Sequence, residues 1–188
     1  LIDFLVGEKD GIPKDQNYLY KVYMARKKFE DAAKMAMVIA KQEQDIGNYK
    51  EAHKIVVDTI KQLENSEARV PHQLRQLFVL LHSYSLVKSM VKNDEHEDAA
   101  RLLLRVARNV SKFPKSMVKI LTSTVIECQR AGMKAASYEY AVVLMRPEYR
   151  SSINVDIKRK IEAIVRRRSA VSDDTPEPLS ACPISAQE

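Results

Sequence analysis

The sequence contains little of what β-rich, disulfide-stabilised or membrane-spanning proteins require. Only 4 of its 188 residues are Gly and only 2 are Cys. Two cysteines exclude a disulfide framework and favour a reducing compartment. No apolar run approaches the roughly 20 residues that a membrane-spanning helix needs, and no signal or transit peptide is recognisable. Because the first residue is Leu1, we interpret the chain as a piece of a longer polypeptide.

The residues that are plentiful favour helices. Hydrophobic residues make up 45% of the chain, and they recur at intervals of three and four residues, which is the period of an α-helix with one buried face. This pattern predicts about eight helices. The seventh, from Ala135 to Met145, is apolar nearly all round, which predicts burial between its neighbours. The clearest is the sixth, with a stripe of Met117, Ile120, Leu121, Thr124, Val125 and Cys128.

Four predicted helices begin with a similar phrase, which contains a bulky residue, two polar residues and then Ala. The phrases are KFEDAA, NYKEAH, EHEDAA and, more weakly, GMKAAS. We expect the bulky residue to fill the groove of the preceding helix and Ala to let the two helices approach closely. The predicted packing positions are Phe29 and Ala32, Tyr49 and Ala52, His96 and Ala99, and Met133 and Ala136.

The phrases resemble the start of the second helix of a tetratricopeptide repeat (TPR). Their spacings of 20, 47 and 37 residues depart from the regular period of about 34. We therefore predict an all-α fold, a TPR-like α-solenoid of stacked helical hairpins, for residues 1–168 as part of a longer solenoid. An irregular helical bundle is the alternative. Residues 169–188 are rich in Ser, Asp, Pro and Glu, and this composition predicts a disordered acidic tail.

Residues that could carry catalysis or hold a metal are scattered. The four histidines have no ligand-type partner at helical spacing, and no Cys-x-x-Cys, His-Glu-x-x-His or Gly-rich phosphate loop occurs. Cys128 closes an apolar stripe, so we interpret it as a small buried hydrophobe. We predict no catalytic, metal or cofactor-binding residue, no cofactor, no small-molecule substrate and no enzymatic activity.

Basic residues dominate the body of the chain. Since residues 169–188 contribute −4 to the net charge of +6, residues 1–168 carry +10. The densest basic stretch is KRKIEAIVRRR, and on a helix its cations would point away from an apolar face. An ordinary solvated helix is one interpretation, and a surface for acidic protein, nucleic acid or anionic membrane is the other. The cations are Lys158, Arg159, Lys160, Arg166, Arg167 and Arg168.

Longer phrases resemble a known family. LIDFLVGEKDGIPKD, DIGNYKEAH, LHSYSLVK, RVARNVSKFP, ILTSTVIECQRAG and LMRPEYR occur in this order. They are similar to the C-terminal TPR region of the WD-repeat/TPR subunits of intraflagellar transport complex A. The resemblance implies a non-catalytic scaffold that acts through protein–protein contacts in retrograde ciliary transport, ciliary entry of membrane receptors and cilium assembly. It implies other complex A subunits, the second transport complex and a tubby-like adaptor as partners, and a location in the cilium, the ciliary base and the cytoplasm.

The tail departs from this family, in which a zinc-binding segment opens with Cys-Pro-x-Cys. Cys182 and Pro183 match the opening, but Ser185 stands at the second Cys position. A structural zinc needs about four ligands, so we expect Cys182 to be exposed, reduced and free of metal. The alternative to a scaffold is a basic helical module that binds nucleic acid or anionic membrane through residues 158–168. That stretch lacks the interleaved aromatic residues that stack on bases.

Overall fold

A computed structural model describes residues 15–172 of the chain. This part contains nine α-helices and no β-strand. Two short 3₁₀ turns, Val110–Lys112 and Pro114–Ser116, follow the fifth helix. The helices are α1 (Gln16–Ala25), α2 (Phe29–Ile46), α3 (Tyr49–Asn65), α4 (His72–Lys92), α5 (His96–Arg108), α6 (Met117–Arg130), α7 (Lys134–Leu144), α8 (Pro147–Arg150) and α9 (Val155–Ser172).

The long helices pack in chain order. Each of α1 to α6 packs against the helix that follows it, and α7 packs against α9. Contacts between more distant helices are few, as expected for an array in which each element is buried by its neighbours. One main core runs through most of the array, and a smaller cluster around Tyr20 lies between α1 and α2. The predicted all-α solenoid of helical hairpins is therefore confirmed for the described residues.

The four recurring phrases correspond to one type of tight turn. A residue with positive φ ends each preceding helix (Lys27, Gly47, Asp94 or Gly132). The next residue has φ near −80° and ψ near 60°, and its amide donates to the carbonyl oxygen five residues earlier. This six-residue loop is the Schellman closure of a helix C-terminus. The phrase therefore marks a turn geometry, and it occurs at consecutive helices, not only at the second helix of a pair.

The fourth phrase follows this turn with a shift of one residue from the predicted register. Met133 occupies the position before the helix, as Lys28 and Asn48 do in the first two turns, so α7 begins at Lys134. Consequently Ser137, not Ala136, is the fully buried small residue. Its hydroxyl group donates to the carbonyl oxygen of Val125 at 3.0 Å. In the other three turns the predicted small residues are fully buried; these are Ala32, Ala52 and Ala99.

The bulky residue of the phrase also contacts later elements, not only the preceding helix as we expected. The ring of Tyr49 lies 5.3 Å from that of Tyr84 and 5.1 Å from that of Phe113, between centroids. Its hydroxyl oxygen accepts a hydrogen bond from the backbone N–H of Lys115 at 3.2 Å. His96 similarly reaches forward from α5 to α6. The phrase thus couples one hairpin to the next.

Two further expectations differ from the structure. The α7 helix buries one stripe, Ser137, Ala141 and Leu144, while Val142 is 40% exposed. The helix packs against both α6 and α9, as the prediction of burial between neighbours requires, but the side that carries Val142 faces solvent. The last helix continues to Ser172, so it includes the first four residues of the predicted tail, 169–172. The rest of the predicted disordered tail, including Cys182, lies outside the described residues, so these expectations stay predictions.

Candidate functional site

The predicted basic stretch lies on α9, which packs against α7 through an apolar face. Ile161 is fully buried in this contact, and Ile157, Ile164 and Val165 are half-buried around it. The cations lie outside the buried face, as the helical pattern predicts. Lys158 is half-buried; Arg159, Lys160, Arg166 and Arg167 are exposed. The side chain of Arg168 lies outside the described residues.

A carboxylate interrupts the basic face of α9. One oxygen of Glu162 accepts a hydrogen bond from Arg150 Nη2 at 2.9 Å, and the other lies 3.8 Å from Arg166 Nη2. The side chain of Glu162 is only 23% exposed, so water screens these pairs less than it does a fully exposed pair. Two of the cations nearby are thus partly neutralised, and the face is less positive than the sequence count suggests.

An open groove runs between α6 and the segment from α8 to the start of α9. Its volume is about 730 Å³. Apolar side chains from both sides line it, including Val118, Ile126, Tyr149 and Ile157, with Lys119 and Glu148 at its exposed positions. Small polar side chains such as Thr122, Ser123 and Asn154 also line it, so the groove offers both apolar area and hydrogen-bonding groups to a protein segment.

The histidines form two separate polar clusters. His53 of α3 and His82 of α4 stack with ring centroids 5.3 Å apart, and Nε2 of the first lies 3.1 Å from Nδ1 of the second. Burial, followed by repulsion from His82, lowers the pKa of His53. His96 Nδ1 lies 2.8 Å from Oε2 of the buried Glu127, whose other oxygen accepts from Arg130 at 3.0 Å. Each cluster fastens neighbouring helices together.

Neither cluster has the composition of a metal site. Within residues 15–172, no group of three or more His, Cys, Asp or Glu side chains could hold a metal ion. Cys128 is fully buried, and burial, with a smaller contribution from Glu127, raises the pKa of its thiol. A raised pKa disfavours the thiolate, so the position suits packing better than nucleophilic chemistry. The expectation that Cys128 is a buried apolar-type residue is confirmed.

Among the helices of residues 15–172, none combines the length and the apolar composition that crossing a bilayer needs.

Sequence comparisons identify relatives along nearly the whole chain. It is 48% identical over 183 residues, which is 97% of its length, to WD repeat-containing protein 19 of Mus musculus and to that of Homo sapiens. It is 37% identical, over 95% of its length, to WD repeat-containing protein dyf-2 of Caenorhabditis elegans. The chain spans about one seventh of these relatives, 14%, 14% and 13% of their lengths. No protein-family model matches the sequence.

Proposed function

Over 97% of its length the chain is homologous to one segment of WD repeat-containing protein 19 and belongs to that family, and we propose that it is part of a non-catalytic scaffold subunit of intraflagellar transport complex A. In this proposal it acts in retrograde ciliary transport, ciliary entry of membrane receptors and cilium assembly. The observation that carries the proposal is the identity of 48% along the whole helical array.

The helical architecture supports a role in protein–protein contacts. An array held together by neighbour contacts leaves long faces of its helices open, and such faces serve as binding surfaces in solenoid proteins. The residues described contain no strand, so the four-stranded blades of WD repeats are not among them. The relatives carry names of repeat proteins, not of enzymes. The proposed partners are other complex A subunits, the second transport complex and a tubby-like adaptor, and the proposed location is the cilium and its base, with a cytoplasmic pool.

Affinity purification from ciliated cells tests this function. The full-length protein that contains this chain is tagged and expressed, and the recovered complex A subunits are quantified by mass spectrometry. A matched variant carries Lys158→Glu, Arg166→Glu and Arg167→Glu. Because packing of helix faces would provide the contacts, we expect the variant to recover complex A at a level close to that of the original protein.

The same variant separates the scaffold from the basic module. If residues 158–168 bind nucleic acid or anionic membrane, reversing three charges should abolish salt-sensitive binding to RNA or to liposomes that contain phosphatidylserine. Failure of the unaltered protein to recover any complex A subunit would refute the proposed scaffold role. The interrupted charge of α9 around Glu162 favours the scaffold over the basic module.

A further inference from the structure

A second basic surface lies between the first half of α4 and the end of α5. It is a cleft of about 400 Å³ whose ionisable lining residues are His72, Arg75, Arg105 and Lys112. No carboxylate is among its lining residues in the described structure. His72 and Arg75 come from α4, whereas Arg105 and Lys112 come from the end of α5 and the 3₁₀ turn that follows it, so no basic run in the sequence reveals the cleft.

Among residues 15–172, the cations of this cleft have no carboxylate partner. Other arginines of the array pair with carboxylates, as Arg101 does with Glu97 and Asp98. Arg75, Arg105 and Lys112 form no salt bridge with any carboxylate of residues 15–172. Several unpaired cations around one concave surface create a positive potential that attracts anionic groups.

Buried side chains hold the guanidinium group of Arg105 and the backbone of Lys112 in place. Nη1 of Arg105 donates to Oγ of Ser83 at 3.2 Å, and that buried hydroxyl donates to the carbonyl oxygen of Val79 at 2.7 Å. The buried Gln44 donates through Nε2 to the carbonyl oxygen of Lys112 at 2.9 Å. A fixed cation loses less conformational freedom when a ligand binds than a mobile one does. Arg105 and the backbone that carries Lys112 are therefore preorganised for an anionic ligand.

The basic cleft is one part of a wider groove at the first half of α4. It shares Gln76 and Lys112 with a second cavity of about 410 Å³, which lies between α2 and α4. Met37 and Leu77 give this second cavity an apolar floor, and Lys41 and Asp45 also line it. The stretch from His72 to Leu80 rises about 12 Å, which corresponds to about four residues of extended peptide. The groove thus has a cationic end and a more apolar, mixed-charge continuation.

We propose that this groove binds an extended acidic segment of a partner protein. Carboxylates of the segment pair with Arg75, Arg105 and Lys112, and an apolar side chain next to them packs on Met37 and Leu77. A recessed, elongated groove fits a peptide chain better than a flat lipid surface. This site is independent of the basic face of α9 and of the scaffold role proposed above.

The acidic tail of this chain is a poor occupant on grounds of reach. Three of its four carboxylates, Asp173, Asp174 and Glu177, lie within five residues of the end of α9, so the chain carries them at most about 18 Å. The steps from α5 through α6 and α7 to α9 are three helix contacts of about 8–10 Å each. These three carboxylates of the tail therefore do not reach the cleft, and we assign the acidic segment to a partner protein.

Fluorescence anisotropy with the full-length protein tests the proposal. The probe is a fluorescein-labelled decapeptide of Glu, Asp and Ser with one central Leu. The control peptide has Lys in place of each Glu and Asp. We expect the acidic probe to bind and Arg75→Glu with Lys112→Glu to weaken binding by about tenfold or more. Arg159→Glu with Arg167→Glu on α9 makes the same change in net charge and should alter affinity by less than about twofold.

Photo-crosslinking locates the bound probe. Benzoylphenylalanine replaces Val79, which is 39% exposed and lines the cleft, or Val142, which is 40% exposed on α7. Crosslinking of the acidic peptide from position 79 and not from 142 supports the groove. Equal weakening by both charge-reversal pairs, no binding to the folded protein, or binding of phosphatidylserine vesicles in place of the peptide would overturn the proposal. A rise in affinity on deletion of residues 173–188 would instead identify the tail as occupant.

Discussion

The two basic surfaces of the array differ in how their charge is assembled. On α9 the cations come from one run of eleven residues in sequence, and Glu162 lies among them as a partner for Arg150 and Arg166. Between α4 and α5 the cations come from three segments, and no carboxylate lines the cleft in the described structure. Fewer of the cleft's positive charges are therefore offset by carboxylates, although no basic run in the sequence marks the cleft.

The two surfaces also differ in support from the interior. The cations of α9 project from a single helix, whereas Arg105 and the backbone of Lys112 are held by buried Ser83 and Gln44. A surface held from inside can discriminate between ligands by geometry, while a set of exposed side chains on one helix acts mainly through its charge. We therefore expect damage to the interior to affect the cleft much more than it affects α9.

The largest expected effect comes from Phe113, which is fully buried beneath the segment that carries Lys112. Its ring packs with those of Tyr49 and Tyr84 at centroid distances of 5.1 and 4.9 Å. Phe113→Ala should lower the free energy of unfolding by about 3–5 kcal/mol, because it leaves a cavity in the aromatic cluster. Urea denaturation followed by circular dichroism measures the change.

The control for Phe113→Ala lies on the other surface. Val155 begins α9 and is 62% exposed, so Val155→Ala should change the free energy of unfolding by less than about 0.5 kcal/mol. A similar loss in both variants would show that the interior under the cleft is no more important than the exposed start of α9.

The next effect concerns Gln44, which is buried and bonds to the carbonyl oxygen of Lys112. Gln44→Ala should cost about 1–2 kcal/mol of stability through the lost hydrogen bond and packing. It should also weaken binding of the acidic probe peptide. Gln42→Ala removes the same side chain from an exposed position of the same helix, α2, and should change neither quantity measurably. Denaturation and anisotropy are measured on both variants, and equal behaviour of the pair would contradict the support that we assign to Gln44.

A smaller effect is expected on α9. Glu162→Gln removes the carboxylate that pairs with Arg150 and Arg166, so it should make retention on heparin more resistant to salt. Stability should fall by less than about 1 kcal/mol, because both arginines remain largely exposed and partly exposed pairs contribute little. Glu64→Gln makes the same charge change on an exposed part of α3. If both variants change the salt concentration of elution equally, then the carboxylate of Glu162 does not specifically reduce the positive charge of the α9 face.

The two basic surfaces also differ in how far the sequence predicts them. Helical spacing predicts the buried stripe of α6, including Ile120, Val125 and Cys128, because periodicity reports local geometry directly. It places the cations of α9 on one helix for the same reason. It misses the cleft, since Arg75, Arg105 and Lys112 are brought together only by packing of α4 against α5 and the turn after it. The register of α7 is missed because Ser137 replaces the expected Ala in the same turn geometry.

The smallest expected effect is a difference in pH dependence between the cations of α9 and His53, which lies on α3 next to α4. Lys and Arg side chains in general keep their charge between pH 5 and 8, whereas the ordinary pKa of histidine lies inside this range. The pKa of His53 lies below its ordinary value of 6.5, first because of burial and then because of His82. The unfolded chain therefore binds a proton at His53 more readily than the folded chain does. The resulting stability is complete above pH 6.5 and is lost progressively as the pH falls through the lowered pKa.

Replacement of His53 isolates this contribution. In His53→Gln we expect the fall in stability between pH 8 and pH 5 to be shallower than in the original chain, because one proton-binding difference between the folded and unfolded states is removed. His72→Gln changes an exposed histidine at the start of α4 and should leave the slope closer to the original. Denaturation midpoints across the pH range give both slopes, and NMR titration of the His53 ring gives its pKa directly. A ring pKa at or above 6.5 would mean that the close approach of 3.1 Å to His82 does not disfavour the protonated form.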